Sequence, residues 1–391
     1  MSEFDFDQII GRRDTDSCKW DAPKAADKLP MWVADMDFKT APCVIEALQA
    51  RVEHGIFGYA QVPSSYYDAV TNWFATQHQF TFKPEWMLYT SGVVPAISAI
   101  LKALIEPGDK VIVQTPVYNC FFSSIRNMQA QLVENPLICQ QGYYQMDFAD
   151  LQQKAADPKV KALLLCNPHN PVGRAWTKEE LTRLGDICLA HDVTVICDEI
   201  HCDLVFPGVI HQPFAAINER FAQCSVTTVA ASKTFNLAGL QLANILVKEP
   251  ELRQKIDKAL NVHEVCDVGP LGITAATAAY THGQEWLAAL RQYLFQNYQH
   301  VVHFFTQHCP QITVTKQQAT YLVWLDITET GFSSDELSQM LAEQGKLLLN
   351  SGTVYGSKTG EGYIRVNIAC PRSILEDGLR RIVKVIANNR V

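Results

Sequence analysis

The chain has 391 residues, 48% of them hydrophobic, and a net charge of -8; this is too much apolar material for a disordered chain, and two domains are expected, one built from both ends of the sequence. Lys and Arg are dispersed over an acidic background, so neither nucleic acid nor an anionic membrane surface is expected as a partner, while local sites for small anions stay open. No run of about 18 uninterrupted apolar residues could span a bilayer, and the start, Met1-Ser2-Glu3-Phe4-Asp5-Phe6-Asp7, carries acids where a secretory signal carries bases.

Between about residues 85 and 230, short apolar runs alternate with helical patterns. Met87-Leu88-Tyr89 reads as a strand, and Tyr89-Thr90-Ser91-Gly92-Val93-Val94-Pro95 leads from it into a helix over Val94 to Leu101. Gly92 is expected to let the backbone turn tightly, so that the free amides of the first helical turn can hold a phosphate against the helix dipole. An ordinary strand-to-helix turn explains the same residues, and neither a dinucleotide fingerprint nor a P-loop is matched. Lys110 to Val113, Ala162 to Cys166 and Val193 to Cys197 read as strands buried on both faces, and Glu179 to Cys188 as a helix. The fold class is α/β, an open and mainly parallel sheet covered by helices, with ligands expected beyond the carboxyl ends of its strands.

Candidate chemistry sits at those ends. Asn170, in Asn167-Pro168-His169-Asn170-Pro171, is a restricted amide that can donate to a ligand oxygen, or a plain Asn-Pro turn. Asp198 closes the run Val195-Ile196-Cys197, where a carboxylate is costly unless paired, and its best use is to hold a protonated ring nitrogen. Asp198, Glu199, His201, Cys202 and Asp203 also admit a metal reading, weakened because strand alternation sends Asp198 and Glu199 to opposite faces. His201 alone reads as a packed ring. Val229-Ala230-Ala231 then delivers Lys233 into a buried turn, where low dielectric makes the amine available as nucleophile or proton acceptor.

Beyond Lys233, Trp286, Leu290, Leu294, Tyr298, Val301 and Phe305 mark one long amphipathic helix leading into a second domain. There Leu322 to Leu325 and Lys346 to Leu349 read as strands, with a helix opened by a Ser333/Glu336 capping box between them. Arg365 alternates with apolar neighbours in Tyr363-Ile364-Arg365-Val366-Asn367-Ile368, suiting either bidentate capture of a carboxylate or an internal salt bridge. A last helix covers Ile374 to Ile386. The expected division is 1-48 joining the small domain, 49-285 as the large domain and 286-391 as the small one. Twelve cysteines stand without a Cys-x-x-Cys pair, and Cys166, Cys188, Cys197 and Cys224 have apolar neighbours; reduced, core-packed thiols and a cytoplasmic location are the expectation.

Taken together these segments resemble fold-type I pyridoxal-phosphate (PLP) enzymes of the aminotransferase superfamily, over essentially the whole chain. Within it, Leu29-Pro30-Met31-Trp32-Val33-Ala34-Asp35-Met36-Asp37-Phe38, Phe57-Gly58-Tyr59, Asn167 to Pro171, Asp198-Glu199-Ile200-His201 and Ser232-Lys233-Thr234-Phe235-Asn236-Leu237-Ala238-Gly239-Leu240-Gln241 look like the MalY/PatB-type cystathionine and cysteine-S-conjugate β-lyases. The resemblance implies a large mainly parallel-sheet domain with a smaller α/β domain, pyridoxal 5'-phosphate as cofactor, and a homodimer. It implies that Lys233 carries the covalent link to the cofactor, that Asp198 pairs with the ring nitrogen, and that Asn170 donates to the ring hydroxylate. His201 stands near that oxygen where many relatives have a tyrosine. Tyr118 stacks on the ring, the Val93 and Val94 amides and the Ser232 hydroxyl hold the phosphate, and Tyr59 reaches it from a neighbouring subunit.

By the same resemblance Arg365, aided by Asn170, binds the substrate α-carboxylate. Ala230 and Gln241 depart from the aminotransferase pattern, where a serine and a phosphate-neutralising arginine are usual. The implied reaction converts a cysteine thioether to thiol, pyruvate and ammonia. Aminotransfer, and a PLP-bearing regulator acting through protein binding, are the alternatives. Side chains from Trp32 to Phe38 are expected to line the pocket without a motif to position them.

Overall fold

The apolar runs become a seven-stranded sheet in the computed structural model, which describes residues 4-262 and 268-389; Met1-Ser2-Glu3 lies outside them. In chain order its strands are β1 (Met87–Thr90), β2 (Lys110–Val113), β3 (Gln131–Glu134), β4 (Val160–Cys166), β5 (Thr194–Asp198), β6 (Ser225–Val229) and β7 (Ala243–Leu246). The spatial order is β1-β7-β6-β5-β4-β2-β3. All pairings are parallel except the two made by β7, which runs against both β1 and β6. Two reversals cancel, so β1 points the same way as the other five and only β7 is inverted.

Alternate residues of β4 feed two separate cores. Leu163 and Leu165 pack with Val195 and Cys197 of β5 on one face, and Ala162, Leu164 and Cys166 with Ile196 on the other. A strand covered on both sides needs no polar face, which is why the sequence reads there as an unbroken apolar run. Helix α1 (Val93–Leu104) covers one face through Val93, Ala96, Ile97, Ile100 and Leu101, the spacing of a single helical stripe. Truncating a fully buried leucine such as Leu163 or Leu101 to alanine costs about 2–5 kcal/mol in such an interior.

Helix α2 (Ala231–Thr234) is the short turn that carries Lys233, and α3 (Gln284–His308) is the long helix expected from its periodicity. Buried Asn297 interrupts the apolar stripe of α3. Its Nδ2 donates to the carbonyls of Ile368 and Cys370, and its Oδ1 accepts from Arg372 at 2.8 Å, so it pins the approach to the last helix, Arg372–Asn388. The small sheet is antiparallel throughout, in the order β8 (Thr313–Val314), β9 (Leu322–Asp326), β11 (Tyr363–Asn367), β10 (Asn350–Ser351). The Ser333/Glu336 capping box is present at the helix Ser334–Glu343, and Thr177 with Glu180 makes an unforeseen second one at Lys178–Ala190.

At the amino end, Leu29 and Pro30 pair in parallel with Leu347 and Leu348. The helix Pro42–Glu53 then runs unbroken through residue 48 and packs on the helix Pro270–His282. Of the cysteines named for burial, Cys166, Cys188 and Cys197 are in the core, but Cys224 is only half-buried, and Cys18 and Cys139 are exposed. Among the described residues no helix is long and apolar enough to cross a membrane.

Candidate active site

Because β1, β2, β4, β5 and β6 run in one direction, their carboxyl ends share one edge of the sheet. From that edge β4 leads to Asn170, β5 ends on Asp198, β6 leads to Lys233, β2 leads to Tyr118 and β1 enters α1. The inverted β7 begins at the same edge, which brings in Gln241 and Leu242 just before it. A cavity of about 570 Å³ opens here. Val93, Val94, Tyr118, Asn170, Asp198, His201, Ser232, Lys233 and Arg365 all line it, so nine of the ten sequence-predicted site residues converge. Tyr59 does not; it is 96% exposed, beside exposed Ile56 and Phe57. A broader surface depression of about 770 Å³ between Phe148 and Ile187 is shallow and lies away from these strand ends.

Asp198 is 3% exposed and accepts one backbone hydrogen bond, from Ile200 N at 3.1 Å. Burial pushes its carboxyl up to about 7, against the Ile200 bond and the charge of Lys233. Burial likewise pulls the Lys233 ammonium down to about 8, against the opposing charges of Asp35 and Asp198. Burial, together with Lys233 and Arg365, takes His201 down to about 3, so its imidazole is neutral, and its buried Nδ1 has no partner among the described residues. A desolvated carboxyl and an orphaned ring nitrogen are groups built to meet a ligand.

The α1 N-terminus has no side-chain cap. Pro95 contributes no amide and Ala96 N already bonds Gly92 O at 2.9 Å, which leaves Val93 and Val94 as free donors in the first turn. The expectation for Gly92 is corrected. Its φ of 167° is extended backbone open to any residue, and an added Cβ would meet Pro95 at an ordinary 3.4 Å, so the turn does not require glycine. Lys233 sits in a helical turn closed by Phe235 N donating to Ala231 O at 2.9 Å, and the neighbouring Thr234 hydroxyl donates to buried Asp203 at 2.8 Å.

The metal alternative separates into different places. Asp198 and His201 face the cavity, whereas Glu199 turns to the other side, accepting from Phe214 N at 2.9 Å and Asn167 Nδ2 at 3.4 Å. Ligand atoms of His78, Cys202 and Asp203 lie within 4.8 Å of one another, but the Asp203 oxygens already accept from Trp73, His78 and Thr234.

Arg365 lies in the middle of the small sheet, opposite Trp324 on one side and Asn350 on the other. Its guanidinium donates to Asn170 Oδ1 at 3.1 Å and to Trp32 O at 2.8 Å. This fixes the Asn170 amide and, among the described residues, leaves its Nδ2 and further Arg365 donors without a partner. Both sheets thus supply the cavity. Lying across it is a strap that sequence motifs could not position. Within residues 32-36, Ala34 O accepts from Lys233 Nζ at 2.6 Å and from Tyr321 OH at 3.0 Å. Val33 O and Asp35 O both accept from Asn367 Nδ2 at 2.6 Å, and Met36 exchanges two bonds with the Asn236 amide. Arg12 clamps the strap by bridging Asp35 and Asp37 at 2.7 Å each, and buried Lys19 bonds Asp37 at 2.7 Å.

The donor set fits pyridoxal phosphate. Free helix amides suit its phosphate, an unused amide and a neutral imidazole suit its ring oxygen, a buried carboxyl suits its ring nitrogen, and an amine suits its carbonyl carbon. The family described as aminotransferase class I and II matches residues 26-382. Cystathionine beta-lyase PatB of Bacillus subtilis (strain 168) is 42% identical over 381 residues, 96% of this chain and 98% of the relative. Protein MalY of Escherichia coli (strain K12) is 34% identical over 98% of this chain and 99% of its own length. Among solved structures, cystalysin of Treponema denticola, which contains pyridoxal 5'-phosphate, superposes with a TM-score of 0.96 at 34% identity, covering 99% of this chain and 100% of that one. The PLP-bound C-S lyase of Staphylococcus hominis does so with 0.92 at 33% identity, covering 98% of each. With fold, cavity and sequence match all running the length of the molecule, the chain belongs to the aminotransferase class I and II family.

Proposed function

We propose that this protein is a PLP-dependent carbon-sulfur β-lyase that cleaves a cysteine thioether to thiol, pyruvate and ammonia. The observation that carries the reading is the meeting of Asp198 and Lys233, delivered from the ends of adjacent strands β5 and β6, in one cavity. When bound, the cofactor supplies a carbonyl carbon for the amine and a cationic ring that draws electrons from the substrate Cα. Asp198 holds its negative charge opposite that ring nitrogen, a role that its desolvated position rewards once a cation arrives. Asn170 donates from Nδ2, and His201 stays neutral beside it. Arg365 clamps the α-carboxylate, which fixes the Cα-H bond relative to Lys233.

Lys233 Nζ, whose ammonium burial has drawn down to about 8, takes the Cα proton. The Cβ-S bond then breaks with its electron pair leaving on sulfur, and the three-carbon fragment takes up water to give pyruvate and ammonia. The Val93 and Val94 amides and the Ser232 hydroxyl hold the phosphate. Gln241 brings no charge to it, which makes the α1 terminus carry more of the binding. Tyr59 reaches the phosphate of a second copy in a homodimer, a role supported by its full exposure beside Ile56 and Phe57. The division into 1-48, 49-285 and 286-391 and a cytoplasmic location belong to the same reading, the latter resting on the free, core-packed thiols of Cys166, Cys188 and Cys197.

What favours the lyase over an aminotransferase is that PatB and the S. hominis protein carry lyase names. The test combines product analysis with a spectrum. Purified holoenzyme given cystathionine is expected to release pyruvate and thiol with no added keto acid, and borohydride is expected to quench a visible chromophore that Lys233→Ala lacks. Turnover that depends on a keto acid and yields no pyruvate from the thioether refutes the lyase.

A further inference from the structure

The side chains lining the cavity include three cations, Lys24, Lys233 and Arg365, and a single carboxylate, Asp198. Lys233 and Asp198 serve the cofactor and Arg365 the α-carboxylate, which leaves Lys24 without an assigned anion. Its ammonium lies 3.5 Å from the centroid of the Trp32 ring, and no ion pair engages it among the described residues. An aromatic face holds an ammonium through its quadrupole without neutralising its charge, so the N-H donors turned away from the ring remain available to a ligand. The turn that carries it is held in place. Pro23–Ala25 is a single helical turn with Ala25 fully buried, and Arg13 donates to Ala25 O at 3.0 Å and to Lys28 O at 2.7 Å. Trp32 joins the two cations, since its ring carries Lys24 while its carbonyl accepts from Arg365 at 2.8 Å. A thioether anchored by its α-carboxylate at Arg365 therefore shares the cavity with a second cation, which also touches Trp32.

We propose that Lys24 and Trp32 form a distal subsite that selects cysteine thioethers whose S-substituent ends in a carboxylate. This rests on the lyase reading of the same cavity and adds the class of leaving thiol. An uncharged S-alkyl chain gains only the apolar face of Trp32, whereas a terminal carboxylate gains a charged hydrogen bond from Lys24. The subsite sits at the exposed mouth, so its contribution is that of a partly solvated ion pair and is screened by salt.

The experiment compares S-(2-carboxyethyl)-cysteine with S-propylcysteine, whose leaving thiols are of similar acidity, in the holoenzyme and in Lys24→Gln and Lys24→Glu. The ratio of kcat/KM values, carboxylate over propyl, is expected to fall about fivefold in Lys24→Gln through KM, and further in Lys24→Glu. In the wild type it is expected to fall as ionic strength rises. A ratio that moves less than twofold in both variants overturns the subsite. An unchanged ratio with loss of bound pyridoxal phosphate overturns it too, and assigns Lys24 to the cofactor. Pyruvate from S-propylcysteine tests the lyase reading separately. If neither thioether is cleaved, spectral titration of the holoenzyme with both amino acids still measures their relative affinity, and equal shifts in both variants refute the subsite.

Discussion

Replacing Asp198 by asparagine should stabilise the cofactor-free protein while it disables the enzyme, and the pH dependence of that stabilisation exposes its cause. The carboxyl rises from an ordinary 3.8 to about 7 because burial outweighs its one backbone hydrogen bond and the charge of Lys233. Above pH 7 it is ionised in both folded and unfolded states, and at 1.36 kcal/mol for each pH unit the folded state carries a penalty of about 4 kcal/mol. Between 3.8 and about 7 the folded state binds the extra proton, so stability falls as pH rises through that window. Below 3.8 both states are protonated and the penalty vanishes. Asparagine keeps an Oδ1 for the Ile200 amide and never ionises. Urea unfolding of cofactor-stripped wild type and Asp198→Asn should therefore give nearly equal stabilities at pH 4, with the variant gaining up to about 4 kcal/mol by pH 8. With cofactor bound, the same change should lower kcat/KM by at least ~100-fold, because the ring nitrogen loses its counter-charge. A stability difference that is flat with pH, or that favours wild type in the stripped protein at pH 8, refutes the reasoning.

Arg365→Ala removes a forked donor, takes from Asn170 Oδ1 its Arg365 hydrogen bond, and leaves Trp32 O with Asn350 Nδ2 alone as its donor. We expect kcat/KM to fall by about 100-fold, with lysine recovering little of it; a loss under threefold in steady-state assays excludes Arg365 as the carboxylate clamp. Gly173→Ala tests the loop that follows Asn170. Gly173 has φ +69°, and a Cβ there would lie 2.6 Å from Cγ of Gln317, whose amide is committed to Leu322 O. Strain and clash together should cost about 2–3 kcal/mol, read as a lower urea midpoint, and an unchanged midpoint sinks the claim.

What the sequence made legible was set by chemistry with a local signature. β4 and β5 announce themselves because their stretches covered on both faces, Ala162 to Cys166 and Val195 to Cys197, are apolar throughout, and the residues closing or following them then stand out. Asp198 is informative because a carboxylate directly after Val195-Ile196-Cys197 has no innocent explanation. The Ser333/Glu336 cap and the stripe of α3 are local patterns and were equally plain. The reversal at β7 left no such trace, since Ala243 to Leu246 is equally apolar whichever way it runs. Nor did the clamp on the strap, because Lys233 and Ala34 meet across 199 positions, and no periodicity reports a carbonyl as a partner. Lys24 was invisible for a related reason, as a surface lysine is ordinary until an indole ring is found beneath it. Gly92 misled in the opposite direction, since glycine before a helix invites a conformational explanation that its extended φ does not need.

The five consecutive carbonyls from Trp32 to Met36 are gripped by side chains from the large sheet's edge, the small sheet and the amino-terminal segment. What these grips recognise is main-chain spacing, so the stretch behaves as a ruler whose markings are peptide groups, with Asp35 and core-buried Met36 held by their side chains as well. Losing or gaining one letter along it would shift every marking past its reader at once.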